Sequence, residues 1–176
     1  MDTHSPYKDE VWEQLQDLRR GPPALATTAL SSRLVALRAV IEREYPLSLA
    51  IDIVNREAVD RLPADLTDAM HSLLREAVVN VADHAKASIL RLTIQVNGGM
   101  VLIGVEDDGE GFPFVGLYDL RLLQSLGVGP RRLAEGVAAL GGTMILDSRV
   151  NGTRLDIALP REASTLYGSD AAARAA

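Results

Sequence analysis

Between Leu66 and Ala85 the apolar side chains Met70, Leu73, Leu74, Ala77, Val78, Val81 and Ala85 recur so that, at about 100° per residue, they form one stripe. This predicts a long helix with one face on a core. The same period recurs from about Thr27 to Glu44, through Leu30, Leu34, Leu37, Val40 and Ile41, before Pro46 closes the run. A shorter stripe of Val11, Trp12, Leu15 and Leu18 predicts a helix from Tyr7 to Arg20, interrupted by Gly21-Pro22-Pro23. Elsewhere the period falls to two. Leu47–Val54, Ser88–Val96, Met100–Asp107, Thr143–Ser148 and Thr153–Leu159 alternate apolar with small or polar residues, as strands with one buried face do. Asn97-Gly98-Gly99 and Asn151-Gly152 predict hairpin turns. Residues 54–62 read as a polar connection, and Pro63-Ala64-Asp65 as the start of the long helix, with Asp65 in its first turn. Phe112–Leu126 has no clear period and is long enough to cover a site as a flexible lid. Pro130 then opens a helix that runs through Leu140 and ends at Gly141-Gly142.

With 176 residues, 47% of them hydrophobic, the chain accommodates one ordinary domain and its core, built from Leu, Val, Ile and Ala because only 4% of residues are aromatic. The expected organisation is a helical extension over 1–26, the domain over 27–160, and a disordered tail over 161–176. A formal charge of -6 with scattered basic residues argues against a partner read along a nucleic-acid backbone, while leaving local phosphate sites open. The absence of cysteine rules out disulfides and thiolate metal sites and is compatible with the expected cytoplasmic location. No apolar run approaches the roughly 18 residues of a membrane span, so no membrane segment is expected.

Three features carry candidate chemistry. Glu76 and Asn80 are four apart on the flank of the long helix's stripe, beside Asp83. Half-buried groups of this kind need partners, which makes them either a structural network or part of a site. Asp107-Asp108-Gly109-Glu110-Gly111 follows a predicted strand. Its glycines allow positive φ and close approach to a flat ligand, and Asp107 can accept a hydrogen bond from an exocyclic amine; an ordinary turn would look the same. Gly127-Val128-Gly129-Pro130-Arg131-Arg132 precedes a helix, where exposed N–H groups suit a phosphate, although a tight loop entering a helix is the competing reading. It is neither a Walker A motif nor Gly-x-Gly-x-x-Gly, whose last position is Arg132 here. Of the three histidines, His71 reads as a solvated helix residue, and His84, near the stripe edge, as a packed histidine or a ligand. No Gly-x-Ser-x-Gly elbow or His-Glu-x-x-His pair supports a hydrolase or zinc site.

The order of these features is more specific than any one of them. A helix with Glu76, Asn80 and His84, a hairpin ending in Asp107-x-Gly109-x-Gly111, a lid, Gly127-x-Gly129, a helix and a Gly-Gly-Thr turn resemble the GHKL ATPase superfamily. The similarity is greatest to the catalytic, ATP-binding domain of bacterial sensor histidine kinases of the nitrate-sensor and desaturase-sensor type. REAVVNVADHAKAS resembles that group's N box, VEDDGEGF its G1 box, and GVGPRRLAEGVAALGGTMIL with NGTRLDIALP its G2 region and final strands. The likeness spans about Ser48 to Pro160, and Ala29–Tyr45 also resembles what precedes the domain in these kinases.

The resemblance implies a two-layer α/β sandwich of the Bergerat type, an α+β arrangement with a mixed sheet covered by helices on one face. It implies ATP and Mg²⁺ as cofactors, with Asn80 as the Mg²⁺ ligand and Asp107 on the adenine amine, directly or through water. Glu76 matches the general base of GHKL ATPases. His84 and Lys86 would belong to the nucleotide site, Lys86 adding positive charge. Gly109, Gly111, Gly127 and Gly129 would shape the lid and its hinges, and Thr153 would lie near the adenine. Three positions depart from the group's pattern: Asp83 where a base is usual, Pro130 where Leu is usual, and Gly136 where Arg is usual. None of His4, His71 and His84 resembles the group's phosphoacceptor histidine, which sits on a dimerisation helix and is commonly followed by an acidic residue. The implied function is therefore γ-phosphoryl transfer to a histidine on a separate or missing dimerisation domain, with a response regulator as further partner and a homodimer as a possible assembly. The alternatives are a serine-protein kinase acting as an anti-sigma factor in the same superfamily, and a non-catalytic interaction module of the same fold.

Overall fold

A computed structural model describes residues 29–162. The expected helix over Tyr7–Arg20, His4, and the tail beyond Glu162 lie outside the described residues. The elements follow in the order α1 (Leu30–Glu44), β1 (Ser48–Val54), α2 (Arg56–Asp60), α3 (Ala64–His84), β2 (Ile89–Asn97), β3 (Met100–Asp107), β4 (Gly116–Asp119), α4 (Leu120–Leu126), α5 (Arg131–Ala139), β5 (Thr143–Arg149) and β6 (Gly152–Pro160). The six strands form one mixed sheet in the order β1-β2-β3-β6-β5-β4. Only β1 and β2 are parallel, joined through α2 and α3; the other pairs are antiparallel.

Alternation along the strands decides which face is covered. Leu90, Leu92 and Ile94 of β2, Val101, Ile103 and Val105 of β3, and Leu155, Ile157 and Leu159 of β6 are buried, while their neighbours Arg91, Leu102 and Arg154 are exposed or half-buried. The helices lie over the buried face, so the fold is an α/β sandwich of two layers. On α3 the expected stripe is the core face: Met70, Leu73, Leu74, Ala77, Val78 and Val81 are buried, Ala85 at the C-cap is half-buried, and Leu66 extends the face toward the start of the helix. Burying one aliphatic side chain contributes ~1.5–3 kcal/mol. The stripe therefore supplies the packing of α3, and Glu76, Asn80, Asp83 and His84 lie on the less buried flank beside it.

Two stretches differ from the sequence expectation. The polar connection at 54–62 contains α2, because Asn55 adopts a left-handed conformation (φ 54) and its side-chain oxygen caps the helix by accepting from the Ala58 N–H at 3.3 Å. The aperiodic stretch 112–126 contains β4, which pairs with β5 as the sixth strand, and α4, capped by Asp119 accepting from the Leu122 N–H at 2.8 Å. Gly127, at φ 64, ends α4.

No acidic residue or side-chain cap serves the first turn of α1 from within its own segment. Asp60 at the end of α2 does so instead. Its carboxylate accepts from the backbone N–H of Ser31 at 3.1 Å and from the Ser31 hydroxyl at 2.7 Å, and Ser31 is buried. Asp60→Ala leaves both donors without this acceptor and is expected to lower stability by about 1–2 kcal/mol, measured by chemical denaturation. An unchanged denaturation midpoint would show that the contact contributes nothing.

Candidate functional site

The flank of α3, the ends of β3 and β6, the loop after β3 and the start of α5 enclose a cleft of about 610 Å³. Glu76, Asn80, Asp83 and His84 line it from α3, Asp107 and Thr153 from the sheet, Gly111, Phe112 and Pro113 from the loop, and Gly129 to Leu133 from the approach to α5 and its first turn. Of the residues singled out in the sequence, Glu76, Asn80, His84, Asp107, Gly111, Gly129 and Thr153 thus share one cavity. Lys86, Gly109 and Gly127 do not line it.

The sheet end of the cleft is set by strand register. Asp107 on β3 pairs with Thr153 on β6, and Thr153 with Ser148 on β5, so these side chains form one transverse row on the helix-facing side. All three are buried, in a layer otherwise filled by aliphatic residues. A buried polar row persists only if it is hydrogen-bonded. The Asp107 carboxylate accepts from the Gly109 N–H at 2.9 Å and from the backbone and hydroxyl of Thr153, while Ser148 Oγ accepts from the Phe112 N–H at 3.2 Å. Burial pushes the Asp107 pKa up, as does the nearby Asp108; the hydrogen bonds from Gly109 and Thr153 oppose the shift without cancelling it.

The neighbouring acid has a different task. Asp108 Oδ1 accepts from the N–H groups of Ser88 and Ile89, both at 2.8 Å, which pins the entrance to β2 and holds its pKa low. The loop between them is tight. Gly109 lies so close to Ala85, at the end of α3, that an added Cβ would stand 2.7 Å from the Ala85 Cβ, and the next residue, Glu110, donates its N–H to the Ala85 carbonyl at 2.8 Å. Gly111 has φ 70 and its missing side chain makes room for the Arg149 carbonyl. Gly109 therefore supports the cleft from behind, and Gly127 serves as the C-cap of α4.

The charged positions also resolve. Lys86 is not among the residues lining the cleft; its ammonium lies 2.9 Å from Glu110, both side chains exposed. Asp83 lines the cleft but accepts the Tyr45 hydroxyl at 3.1 Å; burial, and then the Asp83 charge, push the Tyr45 pKa up to about 12. Gly136 lies where α5 meets α3, a Cβ there standing 2.5 Å from Leu73 Cδ2, so the small residue permits close approach of the two helices. His84 is exposed on the cleft wall rather than packed in the core. His71 is half-buried rather than solvated, and burial, with the charges of Arg33 and Arg75, pushes its pKa down.

Four contributors were not identified as site residues in the sequence. Phe112 stacks on Phe114 with centroids 5.3 Å apart, and Phe114 meets Tyr118 of β4 edge-on at 4.9 Å, fastening the start of the expected lid to the sheet. Arg131 and Arg132 reach the cleft from α5. Gly152, at φ 129, leaves space for the Asp107 carbonyl. The Pro130-Arg131-Arg132 run and Asn151-Gly152 were the available signals. Among the described residues no group of three or more His, Cys, Asp or Glu side chains is arranged to hold a metal ion. A cation here would fit Asn80, whose carbonyl oxygen is a hard ligand, together with oxygens of a bound ligand and water, as suits Mg²⁺.

No protein-family model matches the chain. The chain is 30% identical over 155 residues to the sensor histidine kinase MctS of Rhizobium johnstonii, a match covering 88% of this chain and 32% of that protein. The chain thus spans about a third of that relative's length. Among solved structures it is similar to the histidine kinase domain of a blue-light activated histidine kinase from Erythrobacter litoralis, with a TM-score of 0.57 and 20% identity, covering 74% of this chain and 58% of that one. It is also similar to the ATP binding domain of PrrB from Mycobacterium tuberculosis, with a TM-score of 0.52 and 21% identity, covering 76% of this chain and 94% of that one. These structural likenesses establish the shared fold.

The raised Asp107 pKa has a defined sign in stability. Folding disfavours the ionised form, so the destabilisation is absent below the ordinary carboxyl pKa of 3.8 and grows as pH rises from there through the folded-state value. Wild type is expected to lose stability relative to Asp107→Asn over that window, as read from paired denaturation curves. A difference independent of pH would contradict the assignment.

Proposed function

The chain is a GHKL domain of the histidine-kinase type, and from that premise we propose that it binds Mg·ATP in the cleft beside α3 and transfers the γ-phosphoryl group to a histidine on another domain or polypeptide. The observation that carries this reading is the pairing, across one cavity, of the buried Asp107–Thr153 row with Glu76 and Asn80. The row offers a fixed acceptor and a hydroxyl of the kind an adenine edge requires, while the helix flank offers oxygen donors for a cation and a carboxylate for proton transfer.

In this mechanism Asp107 accepts from the exocyclic amine of adenine, with Thr153 holding that carboxylate in place. Gly111 and Gly129 allow backbone to approach the nucleotide. Asn80 supplies the protein ligand to Mg²⁺, which when bound offsets charge on the phosphate oxygens. A nitrogen of the acceptor imidazole attacks the γ-phosphorus, the bond to the β–γ bridging oxygen breaks, and ADP departs with that electron pair. Glu76, one turn before Asn80, accepts the proton released from the other ring nitrogen. The acceptor belongs to a histidine-bearing dimerisation domain, and the phosphoryl group passes on to a response regulator; a cytoplasmic homodimer fits this scheme. One observation favours a non-catalytic module instead: the Asp83 carboxylate on the cleft wall, which a triphosphate would meet with like charge.

Asn80→Ala is expected to lower Mg²⁺-dependent ATP affinity at least about tenfold, measured by calorimetry, while the variant still unfolds cooperatively. Labelling from γ-labelled ATP is expected only when a histidine-bearing partner helix is added, whereas phosphoserine on a partner would favour the serine-kinase alternative. Loss of the folded state in Asn80→Ala, with unchanged affinity per folded molecule, would make Asn80 a structural residue and sink its assignment to the metal.

A further inference from the structure

The cleft has an unusual distribution of charge for a polyphosphate. Glu76 and Asp83 stand on α3 and Asp107 on the sheet, so three acidic residues line the cavity. A nucleotide seated against them needs positive charge from elsewhere. Lys86 does not provide it, since its ammonium lies against Glu110 outside the cleft lining. Among the described residues, the only lysine or arginine residues lining the cavity are Arg131 and Arg132, and neither makes an ion pair or side-chain hydrogen bond. Across from them, Asp83 is drawn toward the α1–β1 connection by the Tyr45 hydroxyl.

We propose that Arg131 and Arg132 are the phosphate-binding residues of this cleft, carrying the negative charge of the nucleotide's β- and γ-phosphates; the inference rests on the nucleotide reading above. Guanidinium suits the task, because it stays charged, presents a planar fork of donors and binds phosphate oxygens in pairs. The setting reinforces it. The first turn of α5 contains no acidic residue and has no side-chain cap, and the preceding Pro130 has no N–H of its own. The free peptide N–H groups of that turn therefore add positive potential of the same sign as the two side chains. Asp107 and Thr153 lie on the sheet and the arginines on α5, so the two groups are separate binding determinants, one for the base and one for the phosphates.

The test is calorimetric titration of the full chain, in the presence of Mg²⁺, with ATP and separately with adenosine, comparing wild type with Arg131→Ala, Arg132→Ala, the double alanine variant and the double lysine variant. Each single alanine is expected to weaken ATP binding about tenfold, the double variant further, with adenosine affinity unchanged within about twofold. The lysine pair is expected to recover part of the loss, and added salt to weaken wild-type ATP binding more than that of the double alanine variant. ATP affinity preserved in the folded double alanine variant, or an equal loss for adenosine and ATP, would overturn the arginine assignment while leaving the nucleotide reading intact. Failure of wild type to bind either ligand would overturn both.

Discussion

A carboxylate placed in an apolar layer must find its hydrogen bonds where it stands, and in this molecule that requirement falls on Asp107. It lies in the same side-chain layer as Leu90, Val105 and Leu155, and its partners come from the Gly109 amide and from Thr153 on the adjacent strand. The Gly109 contact is local to the loop, but Thr153 stands beside Asp107 only in one register of β3 against β6. A slip of one residue would turn Asp107 to the open face and exchange it for Glu106. The close approaches at Gly109 and Gly152 serve the same arrangement, one letting the loop close behind the carboxylate and the other letting β6 pass its carbonyl. The strand pairing that stabilises the sheet is thus also what presents an acidic acceptor to the cleft.

The long helix α3 divides its circumference in a complementary way. Its apolar stripe supplies the packing, and the flank beside it carries Glu76, Asn80, Asp83 and His84 to the cleft. Asp83 is one of the three positions that depart from the kinase pattern, and its partner Tyr45 comes from the connection that leads out of α1. It thus takes part in an ordinary interaction between two elements of the scaffold.

Periodicity made the long elements legible: the stripe of α3, the alternation in β2 and β3, and the Asn-Gly-Gly turn between them all follow from residues that interact with near neighbours. The elements that were missed depend on contacts distant in sequence. Strand β4 has four residues, lies at the sheet edge and buries none of them fully, so its alternation is too short to stand out beside the leucines of α4. The turn of helix at α2 depends on Asn55 adopting a left-handed conformation, which a polar stretch does not announce. At the cleft, Glu76, Asn80 and Asp107 were legible because motif order and spacing mark them. The run through Arg131 and Arg132 reads in sequence as a loop suited to a phosphate, and Lys86 as part of the site. In the fold Arg131 and Arg132 line the cleft and Lys86 pairs with Glu110 outside its lining, a placement set by contacts distant in sequence.

The strand β4 also bears on the thermodynamics of ligand capture. Phe112 is tied to Ser148 and stacked on Phe114, Phe114 packs on Tyr118, and Tyr118 belongs to a strand paired with β5, so the first half of the segment over the cleft is held to the sheet. Fixing a residue's backbone costs roughly 1–2 kcal/mol. In a loop that ordered only around its ligand, that entropy would be subtracted from the binding free energy. Here the stretch from Phe112 to Tyr118 has that cost met when the chain folds, so a ligand seated against Phe112 would meet a wall that is already ordered.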